Sequence, residues 1–188
     1  MTDTELNLKT SLITINYTVG KIIVPRYIVI HETANPAKGA DADAHRRYFG
    51  TNKNAKASAH FVVDDTCAVQ LGKFLPGECW EMWHVGKGRV QKQPIYNSNS
   101  IGIEICINAD GDYEKARRRA ILLTRYVLAQ TGLSADRVVR HYDAWGKNCP
   151  AKMLASPVLW EDFKEQVSNK TVSAVNFDTK KCRHFAQT

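Results

Sequence analysis

Several features that would assign a chain to a familiar class are missing here. The five cysteines include no C-x-x-C pair, and their odd number argues against a disulfide framework and against a four-cysteine structural zinc site. The simplest expectation is synthesis in a reducing cytoplasm. No apolar run approaches the roughly 20 residues of a membrane-spanning helix. The first residues, Met1-Thr-Asp-Thr-Glu-Leu6, carry acid rather than base and lack an apolar core, so they are not expected to act as a secretory signal. There is no internal repeat, no low-complexity tract and no nucleic-acid-binding motif.

What is present is ordinary in bulk. The chain has 188 residues, 44% apolar and 24% charged, enough for one domain with a sizeable core. The formal net charge of +7 points to an anionic partner, for which nucleic acid and anionic cell-wall polymers are both candidates. The basic residues are dispersed. Residues 113–147 hold eight Lys/Arg against three Asp/Glu, most of them on one expected helix, where they read as a solvated face.

The pattern alternates strands and helices. Residues 12–17 fit an edge strand or a draped arm. Tyr27-Ile-Val-Ile-His31 is a β-branched and aromatic run expected to be a strand buried on both faces, stopped by Pro36. Residues 41–51 read as a short helix capped by Asp41 or Asp43, with His45 exposed between charges. Residues 59–64 and 67–71 form an expected hairpin. In residues 101–107 every odd position is Ile, which places Gly102, Glu104 and Cys106 together on the opposite face of a second buried strand. A helix is expected over 113–131 between Asp112 and Gly132, with Arg117, Arg118 and Arg119 on its polar side. A third strand over 137–141 leads into an irregular loop, and Ser156-Pro157 opens a last helix to about Ser168. Residues 170–188 fit a linker or an appended arm.

The stretch from His141 to Pro150 concentrates an imidazole, an ammonium and a thiol in ten residues. Taken alone, a His–Cys pair of this kind reads more readily as a buried thiol and a surface imidazole than as a metal site. The rest of the chain adds His31 and Glu104 at other strand ends. Two imidazoles and a thiolate make three protein ligands, which is the open arrangement of a catalytic zinc site with one position left for water. A carboxylate beside that water can take its proton, and a lysine beside the substrate carbonyl can stabilise an oxyanion. Competing motifs fail on spacing: Asn35 stands where H-E-x-x-H needs its second His, and the P-C-x-x-C of the zinc deaminases is absent.

Several ordered motifs carry a resemblance. They are Tyr27-Ile-Val-Ile-His31-Glu-Thr33, Ser58-Ala-His-Phe-Val-Val-Asp64, Trp83-His84-Val-Gly86, Asn97-Ser-Asn-Ser-Ile-Gly-Ile-Glu104, and Val139-Arg-His141 through Lys147-Asn-Cys149-Pro150. Over residues 25–165 the chain resembles the zinc-dependent N-acetylmuramoyl-L-alanine amidases of the phage-endolysin and autolysin type, relatives of the peptidoglycan recognition proteins. The resemblance implies a single α/β domain with a mixed central sheet flanked by helices. It implies Zn²⁺ on His31, His141 and Cys149, with Glu104 as general base or water-orienting carboxylate and Lys147 as transition-state stabiliser. It implies cleavage of the amide between N-acetylmuramic acid and L-Ala in bacterial peptidoglycan. Some relatives carry a catalytic Tyr where this chain has Ala59, which places the chain in the branch that relies on the Glu.

Weaker expectations attach to Thr33, His84 and Asn99, which lie in motif stretches near strand ends and either line a substrate groove or serve turns and caps. Trp83 and Trp145 fit stacking on sugar or peptide, or burial. His60 is expected to be a core histidine with a backbone partner, and Cys67 and Cys79 plain thiols. The expected organisation is a catalytic domain over 1–169 and a tail or linker over 170–188. The expected partner is peptidoglycan, not nucleic acid; no oligomeric state is implied. Synthesis without a signal peptide, followed by action on the wall after release, favours a phage endolysin over an exported autolysin. The alternatives are a peptidoglycan-binding module without turnover and a basic nucleic-acid binder.

Overall fold

The computed structural model describes residues 6–86 and 90–169. A six-stranded mixed sheet organises them, in the order β1-β5-β4-β7-β3-β8. These strands are Leu8–Thr10 (β1), Tyr27–Glu32 (β3), Phe61–Val63 (β4), Ala68–Gln70 (β5), Ser100–Ile105 (β7) and Val138–Arg140 (β8). A separate antiparallel pair joins Tyr17–Ile22 (β2) to Trp80–Met82 (β6). The helices are Ala42–Thr51 (α1), Tyr113–Thr131 (α2), His141–Trp145 (α3), Ala151–Ala155 (α4) and Pro157–Ser168 (α5). None of the helices in the described residues is long and apolar enough to cross a membrane.

The three central strands β4, β7 and β3 run parallel, and β8 extends them on the far side of β3. Parallel strands are covered on both faces, and β3 shows it: Ile28, Val29 and Ile30 are fully buried. Ile28 and Ile30 share one core with Ile101, Ile103 and Ile105 of β7, Phe61 and Val63 of β4, and the apolar side of α2 and α5. Each such side chain contributes about 1.5–3 kcal/mol through removal from water. On the opposite face Val62 and Cys106 pack with Ala42 and Phe49 of α1, and Val29 packs with Ala144 of α3. Strand alternation therefore turns the residues between the isoleucines, Gly102 and Glu104, away from α2.

The helix limits follow local chemistry. Asp112 accepts from the Lys115 N–H at the start of α2, Asp41 accepts from the Ala44 N–H at the start of α1, and α2 ends at Gly132. The β4–β5 hairpin turns on Asp64, whose Oδ1 accepts from the backbone of Thr66 and Cys67 while Oδ2 accepts from the Ala42 N–H.

Several expectations are corrected. Of the two readings for residues 12–17, the edge strand gives way to the draped arm: the Ser11 and Ile13 N–H groups hydrogen-bond to Gln70 and Leu71, and the segment runs along β5 from β1 to Tyr17, the first residue of β2. The basic triple on α2 is not a solvated face. Arg117 is buried against Glu114 and Asp162, and Arg119 is buried with its Nη1 donating to the Asp64 carbonyl; only Arg118 is exposed. His45 is also buried, with Nδ1 2.9 Å from the Asp41 carbonyl, because α1 lies against the sheet on that side. The first half of the expected loop after β8 is the helix α3. The arm or linker expected at 170–188, and His184 within it, lie outside the described residues.

Candidate metal and catalytic site

The site forms on the sheet face opposite α2, at the ends of β3, β7 and β8. Register does most of the work: His31 on β3 lies directly beside Glu104 on β7, with alternation aiming both side chains to the same face. His141 is the first residue after β8 and the first of α3. Helix α3 runs one turn and closes at Gly146, whose left-handed φ of +68° reverses the chain and returns Lys147–Cys149 toward β3. The Tyr142 N–H donates to the Cys149 carbonyl, tying the two ends of the loop together.

One ligand atom each from His31, His141 and Cys149 lie within 4.8 Å of one another. The Cys149 Sγ is 3.7 Å from His31 Nδ1 and receives the Glu32 N–H at 3.5 Å. Glu104 Oε1 stands 3.9 Å from the same His31 Nδ1. The three groups expected from the sequence to share a metal therefore meet at one point, and Glu104 borders it. Lys147 is exposed on the loop, with its Nζ 3.9 Å from the position a Cβ on Gly86 would take.

Burial sets the protonation states. It holds the His31 imidazole well below its ordinary value, helped by His141, His84 and Lys147. His141 is lowered to about 4, again chiefly by burial. Both rings are thus neutral near pH 7 and can offer lone pairs. The Cys149 thiol is pushed up to about 12 by burial and by the Glu104 charge, so ionisation of that sulfur requires a cation beside it. Glu104 is raised to about 7, with burial the main cause and the Lys147 charge opposing it. Among the described residues, Glu104 Oε2 and the Thr33 hydroxyl find no hydrogen-bond partner. Two neutral imidazoles and a thiol suit a borderline-soft ion such as Zn²⁺, and the orphaned carboxylate oxygen fits a bound water or substrate beside it.

The remaining expectations separate. Thr33 follows β3 with its hydroxyl unpartnered, in keeping with a groove position. Asn99 serves a turn: its Oδ1 accepts from the Tyr96 N–H and its Nδ2 donates to the Pro94 carbonyl. His84 does not line a groove; it is buried behind His31, their Nδ1 and Nε2 atoms 3.1 Å apart. His60 is a core histidine with its Nε2 at the Trp80 carbonyl, as expected. Trp83 donates to Thr18, whereas Trp145 borders a cavity of about 250 Å³ with Tyr96 and Val85.

Sequence reasoning missed Glu32. It is buried, its Oε1 accepting from the Tyr113 hydroxyl at 2.6 Å and its Oε2 from the Lys152 N–H at 2.9 Å. This carboxylate fastens α4, and so the segment just after Cys149, to the end of β3. A buried acid adjoining a ligand His was the available signal.

The family model described as N-acetylmuramoyl-L-alanine amidase matches residues 21–152. The chain belongs to that family. It is 42% identical over 150 residues to the N-acetylmuramoyl-L-alanine amidase CwlH of Bacillus subtilis (strain 168), covering 80% of this chain and 56% of CwlH. It is 43% identical over 145 residues to the amidase XlyA of the same strain, covering 77% of this chain and 45% of XlyA. The chain thus spans about half the length of these relatives. The solved catalytic domain of XlyA superposes with a TM-score of 0.72 at 40% identity, covering 86% of this chain and 99% of that domain. The mixed sheet with helices on both faces is the fold of this amidase family, as the motifs implied.

Proposed function

We propose that this chain is a zinc-dependent N-acetylmuramoyl-L-alanine amidase that hydrolyses the bond between the lactyl group of N-acetylmuramic acid and L-Ala in bacterial peptidoglycan. The observation that carries the reading is the meeting of His31, His141 and Cys149 at one point, with the partnerless Oε2 of Glu104 at its border. Family membership supports the same chemistry. In this reading residues 1–169 are the catalytic unit and 170–188 a tail. The protein acts on the wall after release as a phage endolysin.

His31, His141 and Cys149 hold the ion. When bound, Zn²⁺ supplies Lewis acidity, which makes a nearby water more acidic and polarises a carbonyl oxygen. Glu104 accepts the proton of the attacking water and returns it to the departing L-Ala amine; its carboxyl, raised to about 7, is poised for both directions near neutral pH. Lys147, exposed on the loop that also carries Cys149, meets the negative charge that develops on the carbonyl oxygen. Thr33, with its free hydroxyl, orients the peptide.

The test is mass spectrometry of digested peptidoglycan together with metal analysis. Stem peptides with a free L-Ala amine and glycans with intact lactyl groups should appear together. The protein should carry about one zinc per chain, lost in His31→Ala, His141→Ala and Cys149→Ala. Full zinc in all three variants, or wall binding without product, would remove the reading in favour of a binding module.

A further inference from the structure

His31 and His141 each have two ring nitrogens, and only an unprotonated nitrogen binds a metal. What stands behind each ring decides which nitrogen that is. For His141 the arrangement is simple: Nε2 lies 3.2 Å from the Gly86 carbonyl, an acceptor only, so Nε2 carries the hydrogen and Nδ1 is left open. Behind His31 stands another ring instead. The His31 Nε2 faces Nδ1 of His84 at 3.1 Å, and two imidazole nitrogens can share one hydrogen in either direction.

The direction is fixed one residue further back. His84 Nε2 sits 3.2 Å from the Ser100 carbonyl and 3.3 Å from the Ser100 hydroxyl. The carbonyl can only accept. The hydroxyl has one hydrogen, which it donates to the Tyr96 carbonyl at 2.5 Å, so toward His84 it too accepts. Nε2 of His84 must therefore carry the ring's hydrogen, and Nδ1 of this neutral, buried ring must accept. His31 donates from Nε2, and its Nδ1 is left open toward Cys149 Sγ at 3.7 Å.

The fold makes room for this ring in one place. A Cβ on Gly102 would lie 2.5 Å from His84 Cγ and 2.6 Å from its Nδ1, so only glycine at this β7 position lets the ring lie against the strand. Strand β7 thus contributes Glu104 to the site and, one step back on the same face, the slot that seats His84.

We infer that His84 is a positioning residue that fixes the tautomer and orientation of His31, relaying the Ser100 carbonyl to the metal site and presenting His31 Nδ1 for coordination. This rests on the zinc reading above and assigns His84 a role behind the site instead of in the substrate groove.

The experiment measures zinc affinity by competition with a chromophoric chelator, and the His31 tautomer by long-range proton–nitrogen NMR on the chelator-treated full chain. His84→Phe fills the slot but offers no acceptor, and should weaken zinc binding by about 10–100-fold, the usual effect of removing a partner of a ligand histidine. His84→Asn places Oδ1 where Nδ1 stood and should recover most of the affinity. Gly102→Ala, which displaces the ring without altering it, should weaken binding as His84→Phe does. In the wild type, His31 should be protonated at Nε2. Wild-type zinc affinity in His84→Phe and Gly102→Ala, or a wild-type His31 protonated at Nδ1, would overturn the inference. The NMR result stands even if a variant fails to fold. A wild type that binds no zinc would instead overturn the zinc reading, while the tautomer measurement still decides the role of His84.

Discussion

Glu104 occupies an expensive position. Its neighbours on β7 are fully buried isoleucines, and one of its oxygens has no partner. A group held there against desolvation is expected to act where the charge is needed. Glu104→Gln keeps the shape and removes the proton acceptor, so it should leave melting and zinc content near wild type while lowering wall-lysis rate by about 10²-fold or more. Lys147→Ala should do the same through loss of oxyanion stabilisation. Near-normal lysis by either variant would remove that residue from the mechanism. Glu32 differs: it meets Tyr113 and the α4 backbone, so Glu32→Ala orphans a half-buried hydroxyl and an N–H. It should lower unfolding free energy by about 1–3 kcal/mol in urea titration, and zinc affinity with it, because the segment after Cys149 loses its anchor. At this scale the three candidate ligands were legible because His and Cys at strand ends are rare and chemically specific. The roles of His84, Glu32 and His45 were not, since each depends on backbone atoms that come near only when separate segments pack.

Among the elements, clear apolar runs and marked limits count for more than length, since the three-residue strands β4, β5 and β8 were legible too. Helix α2 and strands β3 and β7 were readable because their periodicity runs through six residues or more and their limits carry capping residues. Strand β6, only three residues long and paired with β2 across an irregular register, has too little pattern to announce itself. Helix α3 is five residues long, and the glycine and proline that follow it dominate the local signal. Yet α3 is what turns His141 and Cys149 toward one another. Its closing residue is therefore a sensitive point. Gly146 has a φ of +68°, and a side chain there would also sit 3.4 Å from Lys92 Cε. Gly146→Ala should cost about 1–2 kcal/mol of stability, read as a lower urea midpoint at unchanged m-value. The same substitution at Gly86, whose would-be Cβ has the Lys147 Nζ at 3.9 Å as its neighbour among the described residues, should cost less.

At the scale of the whole molecule, the notable charge feature is not the net +7 but a row of neutral histidines through the interior. Rings of His60 and His84 lie 5.7 Å apart, His84 and His31 5.2 Å, and His31 and His141 4.6 Å, all four buried. Burial lowers all of them, His60 and His141 to about 4 from an ordinary 6.5. Above pH 6.5 such a ring is neutral folded and unfolded, and stability does not respond to pH. Between 6.5 and about 4 the unfolded chain binds a proton that the folded chain refuses, so stability falls as pH falls. For His60, which is fully buried with Nδ1 accepting from the Gly102 N–H, the difference corresponds to about 3.5 kcal/mol at roughly 1.4 kcal/mol per unit, fully expressed only below about pH 4. Glu104, raised to about 7, takes up a proton in the folded state over the same range and offsets about one of the four rings. The chelator-treated protein should therefore still lose stability from pH 6.5 to 5.5, a window in which most exposed carboxylates do not titrate. Denaturant titration across that window measures it, and His60→Gln should flatten the slope even though it lowers the starting stability. A flat profile in the wild type would mean that water reaches these rings and that the interior is not the dry, neutral environment on which the open nitrogens of His31 and His141 depend.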